Sequence, residues 1–144
     1  MATLTVEQAR KKQALCPEGW RFDIERFVCF NDSVTRRYID LEDNKYICAT
    51  VEYTKEYERK NNGYCSFNVA TGKVLPTLNI SEWTRKPETG CAVSHGLGKS
   101  VVLGAPEDRK VYKTLCKYAA SVSDDLIMQI YTENLAQLRD GRIM

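Results

Sequence analysis

Long hydrophobic runs are absent from this sequence, and so is any strong imbalance of charge. No apolar stretch approaches the roughly 20 residues that a transmembrane helix needs, so we expect no membrane-spanning segment. The 21 basic and 19 acidic side chains leave a formal charge of only +2. Nucleic-acid-binding domains usually carry a clear basic excess, and we therefore expect no nucleic acid among the partners.

Proline and glycine are scarce as well, at 4 and 8 of 144 residues. These contents exclude collagen-like and low-complexity chains, whereas 43% hydrophobic and 28% charged residues are typical of a globular protein. The length corresponds to one domain, and the sequence contains no internal repeat and no linker that would divide it. We therefore interpret residues 1–144 as a single domain.

Histidine occurs once, at position 95, which limits the catalytic possibilities. A Ser–His or Cys–His catalytic pair would have to use His95, and Ser94 is too close in sequence to act readily as its nucleophile. The glycine-containing segment 96–100 lacks the first glycine of a phosphate-binding loop, because Val93 occupies that position. We predict no catalytic residue, no cofactor and no small-molecule ligand, and an enzyme that uses His95 is only the third hypothesis.

Closely spaced cysteine pairs are missing, although the sequence contains six cysteines. Structural zinc sites need ligand pairs such as C-x₂-C, so we predict no metal site. Wide and even spacing favours disulfides in an oxidising compartment, and the alternative is a set of small buried thiols in a reducing cytosol. The six residues are Cys16, Cys29, Cys48, Cys65, Cys91 and Cys116.

Three disulfides follow from this interpretation. If residues 45–54 and 64–69 form a hairpin around a turn at 55–63, Cys48 lies opposite Cys65 at a distance that a disulfide can bridge. The nearest two cysteines in sequence form a second pair, and the remaining two form the third. The prediction therefore pairs Cys48 with Cys65, Cys16 with Cys29, and Cys91 with Cys116.

The first 15 residues lack the apolar core of a signal peptide. An oxidised protein that begins in this way would belong to the mitochondrial intermembrane space, or to the extracellular space or periplasm if a signal peptide has been removed. If the cysteines are reduced, the protein belongs to the cytosol.

The residue pattern predicts an α+β fold: a short N-terminal helix, a small antiparallel β-meander, and a C-terminal helix or helix pair packed on the sheet. Thr5, with Gln8 three residues later, predicts the N-cap of the first helix. Pro76 predicts that the third strand of the meander lies at an edge or carries a bulge. The predicted segments are a helix at 3–15, a β-rich region at 16–80 with a strand or hairpin at 20–30 and strands at 45–54, 64–69 and 74–80, a turn at 70–73, a loop at 81–105, and helices at 106–140.

The C-terminal helical region carries a broad apolar stripe behind the cap candidate Ser123. Burying each aliphatic residue is worth about 1.5–3 kcal/mol, so the stripe should pack on the sheet or on a partner chain. It comprises Leu126, Ile127, Ile130, Tyr131, Leu135 and Leu138.

The segment Cys16-Pro17-Glu18-Gly19-Trp20, together with Cys29, resembles the opening hairpin of C-type-lectin-like domains. The resemblance covers about 14 residues, and the calcium-binding tripeptides of that family are absent from the rest of the chain. It implies neither carbohydrate nor calcium binding here. We interpret Pro17 and Gly19 as a turn and Trp20 as a core anchor.

Tyrosine is abundant, with eight copies, and three of them flank one polar segment. Tyrosine is enriched at contact surfaces, so Tyr53, Tyr57 and Tyr64 are candidates for interaction with a partner. The leading hypothesis is a non-catalytic structural or accessory subunit of a larger protein assembly, stabilised by disulfides, whose partners are other protein subunits. The alternative is a secreted binding or adhesion module.

Overall fold

The computed structural model describes residues 5–94 and 98–139, without the side chains of 136–139. Within these ranges the fold is α+β, as the sequence predicts, with helices and an antiparallel sheet. The elements are α1 (Val6–Leu15), β1 (Arg21–Phe22), α2 (Ile24–Phe30), β2 (Thr35–Asp40), β3 (Lys45–Asn61), β4 (Ser66–Lys86), β5 (Cys91–Ser94), β6 (Lys99–Val102), α3 (Tyr112–Ala120) and α4 (Asp124–Arg139).

The described strands form one antiparallel sheet in the order β1-β2-β3-β4-β5. β6 also pairs with β4, along residues 77–80, whereas β5 pairs with β4 at residues 83–86. The two short strands therefore share one edge of β4, and β3 occupies the other edge.

β3 and β4 are much longer than the predicted strands, because the predicted turn at 55–63 continues as strand to Asn61. The predicted turn at 70–73 is also wrong. Lys55 pairs with Val74 and Tyr57 with Ala70, so residues 71–73 form a bulge within β4. Gly72 has a φ of +89° in this bulge, which explains why the local sequence is typical of a turn.

The strand that contains Pro76 is not an edge strand, since β4 pairs with β3 on one side and, from Thr77 onwards, with β6 on the other, but it does carry a bulge, at residues 71–73. The Pro76 carbonyl accepts a hydrogen bond from the Leu103 N–H at 2.8 Å, just beyond the last β4–β6 pair, Thr77 with Val102. The missing proline N–H faces this same side, where the ladder has ended. Proline has no N–H to donate, but no strand pair at this position needs one, so Pro76 does not interrupt the sheet.

Alternating residues of β3 face the helices, as the period-two pattern predicts. α3 and α4 cover this face of the sheet, and Trp20 joins the core from the N-terminal side with 4% of its surface exposed. The core cluster comprises Trp20, Ile47, Ala49, Val51, Tyr53, Val74, Leu78, Ile80, Leu115, Ala119, Val122 and Ile127.

The N-terminal helix has the predicted cap. The Thr5 hydroxyl accepts a hydrogen bond from the Gln8 N–H, and the Gln8 side chain accepts one from the Thr5 N–H. The strand predicted at 20–30 is limited to the two residues of β1, because the Asp23 carboxylate caps a helix directly after it by accepting from the Arg26 N–H.

The predicted loop at 81–105 is largely strand, since β4 continues to Lys86 and residues 91–94 and 99–102 pair with it. The following helix begins at Tyr112, not at Pro106. Glu107 instead forms a backbone bridge to Val74, with hydrogen bonds in both directions, and this bridge prevents the segment from coiling.

The start of α4 agrees with the sequence. The Ser123 hydroxyl accepts from the Leu126 N–H at 3.1 Å. Ile127 of the apolar stripe is fully buried, and Leu126, Ile130 and Tyr131 pack partly against the core.

None of the predicted disulfides is formed, and all six cysteines are free. The longer strands change the register, so that Cys48 lies opposite Ser81 and Cys65 lies in the turn that joins β3 to β4. Cys29 and Cys91 are exposed, whereas Cys116 is buried beside Cys16. The proposed stabilisation by disulfides therefore has no support in the fold.

Candidate functional site

The distal ends of β3 and β4 form a two-stranded arm, defined here as residues 57–73. Every residue of the arm is exposed, and no strand other than β3 or β4 pairs with it in the described part of the chain. Five residue pairs, from Tyr57–Ala70 to Asn61–Ser66, connect its strands. At about 3.4 Å per residue the paired section is about 17 Å long.

The tip of the arm is an ordered turn. Asn62 Oδ1 accepts hydrogen bonds from the N–H groups of Tyr64 and Cys65, both at 3.0 Å. Asn61 Oδ1 accepts from the Gly63 N–H at 2.8 Å, and Gly63 adopts a φ of +90°. This network holds the backbone on both sides of Tyr64, whose side chain is 98% exposed.

The base of the arm is attached to the core through Tyr53. Its hydroxyl donates to Glu107 Oε1 and to the Val111 carbonyl, both at 3.2 Å, and burial followed by the nearby Glu107 carboxylate raises the pKa of Tyr53 to about 12. Within the bulge, the Thr71 hydroxyl donates to Glu56 Oε1 at 2.8 Å. The arm therefore leaves the sheet from a defined base.

The arm carries apolar side chains that nothing in the described chain covers. Phe67 and Val69 are two residues apart on β4 and thus share one face, with exposures of 42% and 40%. Lys60 and Glu58 lie opposite them on β3 and form an ion pair at 3.7 Å. Tyr57, 57% exposed, pairs with Ala70 and faces the other side.

The three candidate tyrosines are therefore separated by the fold. Tyr57 and Tyr64 lie on the arm, while Tyr53 is in the core and not available to a partner. Sequence reasoning missed Phe67 and Val69, although their alternation within a predicted strand could have identified them as one face.

A second surface is the face of the sheet that the helices leave uncovered. It is a concavity of about 390 Å³ between α2 and β6. The Tyr38 and Tyr46 rings meet edge to face at 5.6 Å, and Trp83 lies opposite Tyr46. Arg36 binds Asp23 at 2.7 Å, but among the described residues its buried Nε has no hydrogen-bond partner.

A third cluster joins the end of α1 to α3. Cys16, the C-cap of α1, has its Sγ 3.0 Å from the Tyr112 hydroxyl and 3.4 Å from the donating Thr35 hydroxyl. A hydrogen bond from the Cys116 thiol, aided by Thr35 and Tyr112 and opposed by partial burial, lowers the pKa of Cys16 to about 6. Lys12 Nζ lies 4.9 Å from the centroid of the Tyr112 ring.

Three further expectations concern His95, metal binding and membrane-spanning helices. His95 lies outside the described residues, so the hypothesis of an enzyme that uses it stays a prediction. Across residues 5–94 and 98–139, no group of three or more ligating side chains could hold a metal ion. No helix in this part of the chain is long and apolar enough to cross a membrane.

Comparison of the chain with protein-family models, with curated proteins and with solved structures gives no match. The arm, the concavity and the thiol cluster are the candidate functional features of the described chain.

Proposed function

We propose that the protein is a non-catalytic structural or accessory subunit of a larger protein assembly, and that the arm is the element that docks on a neighbouring subunit. The observation that carries this proposal is the arm itself, 17 consecutive exposed residues (57–73) that hold aromatic and aliphatic side chains away from the core.

Isolated two-stranded hairpins are at best marginally stable in water, and a third strand or a packed face is usually required. The arm has neither within the described chain, and the outer edges of both strands leave backbone N–H and C=O groups unpaired. A partner chain would supply what is missing, either by adding a strand to an edge or by covering Phe67 and Val69.

The arm is also prepared for contact. Its tip and bulge are held by side-chain hydrogen bonds, so that docking would order few additional residues. Because fewer residues would lose conformational entropy on docking, a larger part of the favourable contact free energy would contribute to affinity. Tyr64 at the tip combines a large apolar area with a polar hydroxyl, which suits an interface.

Site-specific photocrosslinking in the native cell tests the proposal. The variants Tyr64→p-benzoylphenylalanine and Tyr57→p-benzoylphenylalanine should each give one discrete crosslinked product, because both side chains would lie in the interface. Glu88→p-benzoylphenylalanine is the matched control, since Glu88 is an exposed residue of the turn between β4 and β5. Arm crosslinks no stronger than those of the control would contradict the proposal.

The concavity supports a second candidate, the binding module. Aromatic rings, and an arginine whose buried Nε has no partner in the described part of the chain, are features of ligand sites. A protein that remains monomeric at its native concentration, with no crosslink from the arm, would favour this candidate over the subunit. The secreted location of such a module stays a prediction.

A further inference from the structure

The concavity lies on the sheet face opposite α3 and α4, and two neighbouring rows of side chains cross it from strand to strand. One row consists of Arg36, Thr50, Asn79 and Ser100, which pair successively from β2 to β6. Most of these side chains are short, and so are Cys48 and Ser81, which pair with each other in the adjacent row. The depression therefore arises because short side chains form its floor.

Aromatic side chains stand on two sides of this floor. Tyr38 on β2 is 49% exposed, and its ring meets the Tyr46 ring edge to face. Trp83 lies on β4, beyond β3, and its indole Nε1 donates a hydrogen bond to Ser81 Oγ at 2.9 Å. Two strand spacings, about 9.6 Å, separate β2 from β4. An aromatic ring that contacts both Tyr38 and Trp83 therefore fits, because the centroids of interacting rings lie about 4.5–7 Å apart.

The charged side chains that line the concavity are mainly cationic. They comprise Arg26, Arg36 and Lys99, with Glu52 as the carboxylate. Arg26 binds Glu52 at 3.2 Å, which leaves the excess positive charge of the lining at Arg36 and Lys99. Among the described residues, Arg36 contacts Asp23 at 2.7 Å and the Tyr38 hydroxyl at 3.4 Å. A guanidinium carries five N–H donors, so Arg36 can bind an anionic group in addition to these two partners.

We propose that the concavity binds a small planar aromatic anion, with its ring between Tyr38 and Trp83 and its anionic group at Arg36. Ring contacts recognise the aromatic part, and charge-assisted hydrogen bonds recognise the anionic part. The volume of about 390 Å³ is within the ~300–1,000 Å³ of small-molecule sites. Aromatic carboxylates and mononucleotides share this chemistry. The site is separate from the arm, so the proposal does not rest on docking in an assembly.

No local motif marks this site, which is why the sequence predicts no small-molecule ligand. Arg36, Trp83 and Lys99 belong to three different strands, and the strand register brings them to one face. A ligand site of this kind is defined by pairing between distant segments.

The test follows the indole N–H signal of Trp83 by two-dimensional ¹H–¹⁵N NMR while the full chain is titrated with 2-naphthoate or with AMP. The chain has two tryptophans, and the signal that is missing from Trp83→Phe is that of Trp83. Binding should shift this signal saturably and leave the signal of Trp20 unchanged, since Trp20 is 4% exposed in the core. The anion with the lower dissociation constant distinguishes a carboxylate ligand from a nucleotide.

A neutral ligand tests the role of the charge without any change in the protein. 2-Naphthalenemethanol has the ring system of 2-naphthoate but no charge. It should bind at least about 10-fold more weakly than 2-naphthoate, because it forms no charge-assisted hydrogen bond with Arg36.

Two exposed residues of the lining are suited to substitution. Tyr38→Ser should weaken binding of 2-naphthoate about 5-fold or more, because one ring contact is lost. Tyr57→Ser is the matched control, since Tyr57 is 57% exposed but lies on the arm, and it should bind as the wild type does. Lys99→Gln should weaken the binding of 2-naphthoate and not that of 2-naphthalenemethanol, whereas the control Lys113→Gln should change neither.

Three outcomes would overturn the proposal. They are equal affinities for 2-naphthoate and 2-naphthalenemethanol, the absence of a saturable shift of the Trp83 signal with both anions, and equal losses of affinity in Tyr38→Ser and Tyr57→Ser. The ligand titrations use the unsubstituted chain, so a variant that fails to fold does not decide the result. None of these outcomes involves the arm, so they are distinct from a failure of the crosslinking test.

Discussion

Gly19 lies directly beneath the guanidinium of Arg37 and has a φ of +86°. An added Cβ would be 1.8 Å from Arg37 Nη1, and that guanidinium is held in place by two hydrogen bonds to Asp124, at 2.7 and 2.8 Å. A side chain at position 19 would therefore disturb both the turn before Trp20 and the contact of Arg37 with the first turn of α4.

Gly19→Ala should lower the free energy of unfolding by about 1–3 kcal/mol from backbone strain alone, and by a further ~1–2 kcal/mol if the Arg37–Asp124 pair is broken. Urea denaturation measures the loss. Gly90→Ala is the control, since Gly90 has a φ of +71° with open space around its Cβ position. Equal losses in the two variants would show that Arg37 moves aside without cost.

The Cys16 thiol should titrate far below an ordinary thiol. Its pKa is lowered from 9.0 to about 6, so ionisation of Cys16 stabilises the fold above that pH, and the contribution is lost as the pH falls through about 6. The difference in unfolding free energy between the wild type and Cys16→Ser should grow as the pH rises from 6 towards 9. Iodoacetamide alkylation of Cys16 should reach half of its maximal rate near pH 6, and a midpoint above pH 8 would contradict the assigned contacts.

At the scale of elements, the arm and the core should be energetically separate. Residues 57–73 are all exposed, whereas Tyr53 and Val74 at the base belong to the core cluster. Lys55 pairs directly with Val74, so these two positions can be joined by a short turn.

Replacing residues 56–73 by Asn-Gly should change the free energy of unfolding by less than about 1 kcal/mol, because the two-residue turn suits a hairpin and no core contact is removed. Thermal denaturation followed by circular dichroism checks this expectation. Crosslinking and assembly should be lost in the same variant. A trimmed chain that does not fold would mean that the arm contributes to the core.

At the scale of the whole molecule, α3 and α4 cover one face of the sheet, and the other face is concave. The two tryptophans report on these two faces, since Trp20 is 4% exposed in the core and Trp83 lines the concavity.

Acrylamide should therefore quench the fluorescence of Trp20→Phe, which retains Trp83, more strongly than that of Trp83→Phe, which retains Trp20. The expected Stern–Volmer constants differ several-fold because quenching requires contact with the ring. Similar constants for the two variants would indicate that the concave face is closed in solution.

Local chemistry in the sequence was sufficient for several elements. The capping box at Thr5, the cap at Ser123 and the alternation along residues 47–53 each depend on neighbours within a few positions, and each was predicted correctly. Residues 70–73 do favour a local change of backbone direction, but in the fold this change forms a bulge within β4 and not a turn. Asp23 is a residue type that favours a helix N-cap, but the aromatic residues that follow it led to the prediction of a strand.

Strand length and register were decided by tertiary structure. Nothing in the local sequence indicates that Lys55 pairs with Val74. This pairing places Cys65 at the tip of the arm, far along the hairpin from Cys48. The contact between Cys16 and Cys116 depends on how α1 packs against α3. The periodicity of a single sequence does not indicate a contact between residues 100 positions apart. The sequence by itself determined the α+β class, the cap and the end of α1 and the start of α4, because these depend on local hydrogen bonds and on burial period. The arm and the contacts around Cys16 arise from long-range pairing and packing that only the folded chain defines.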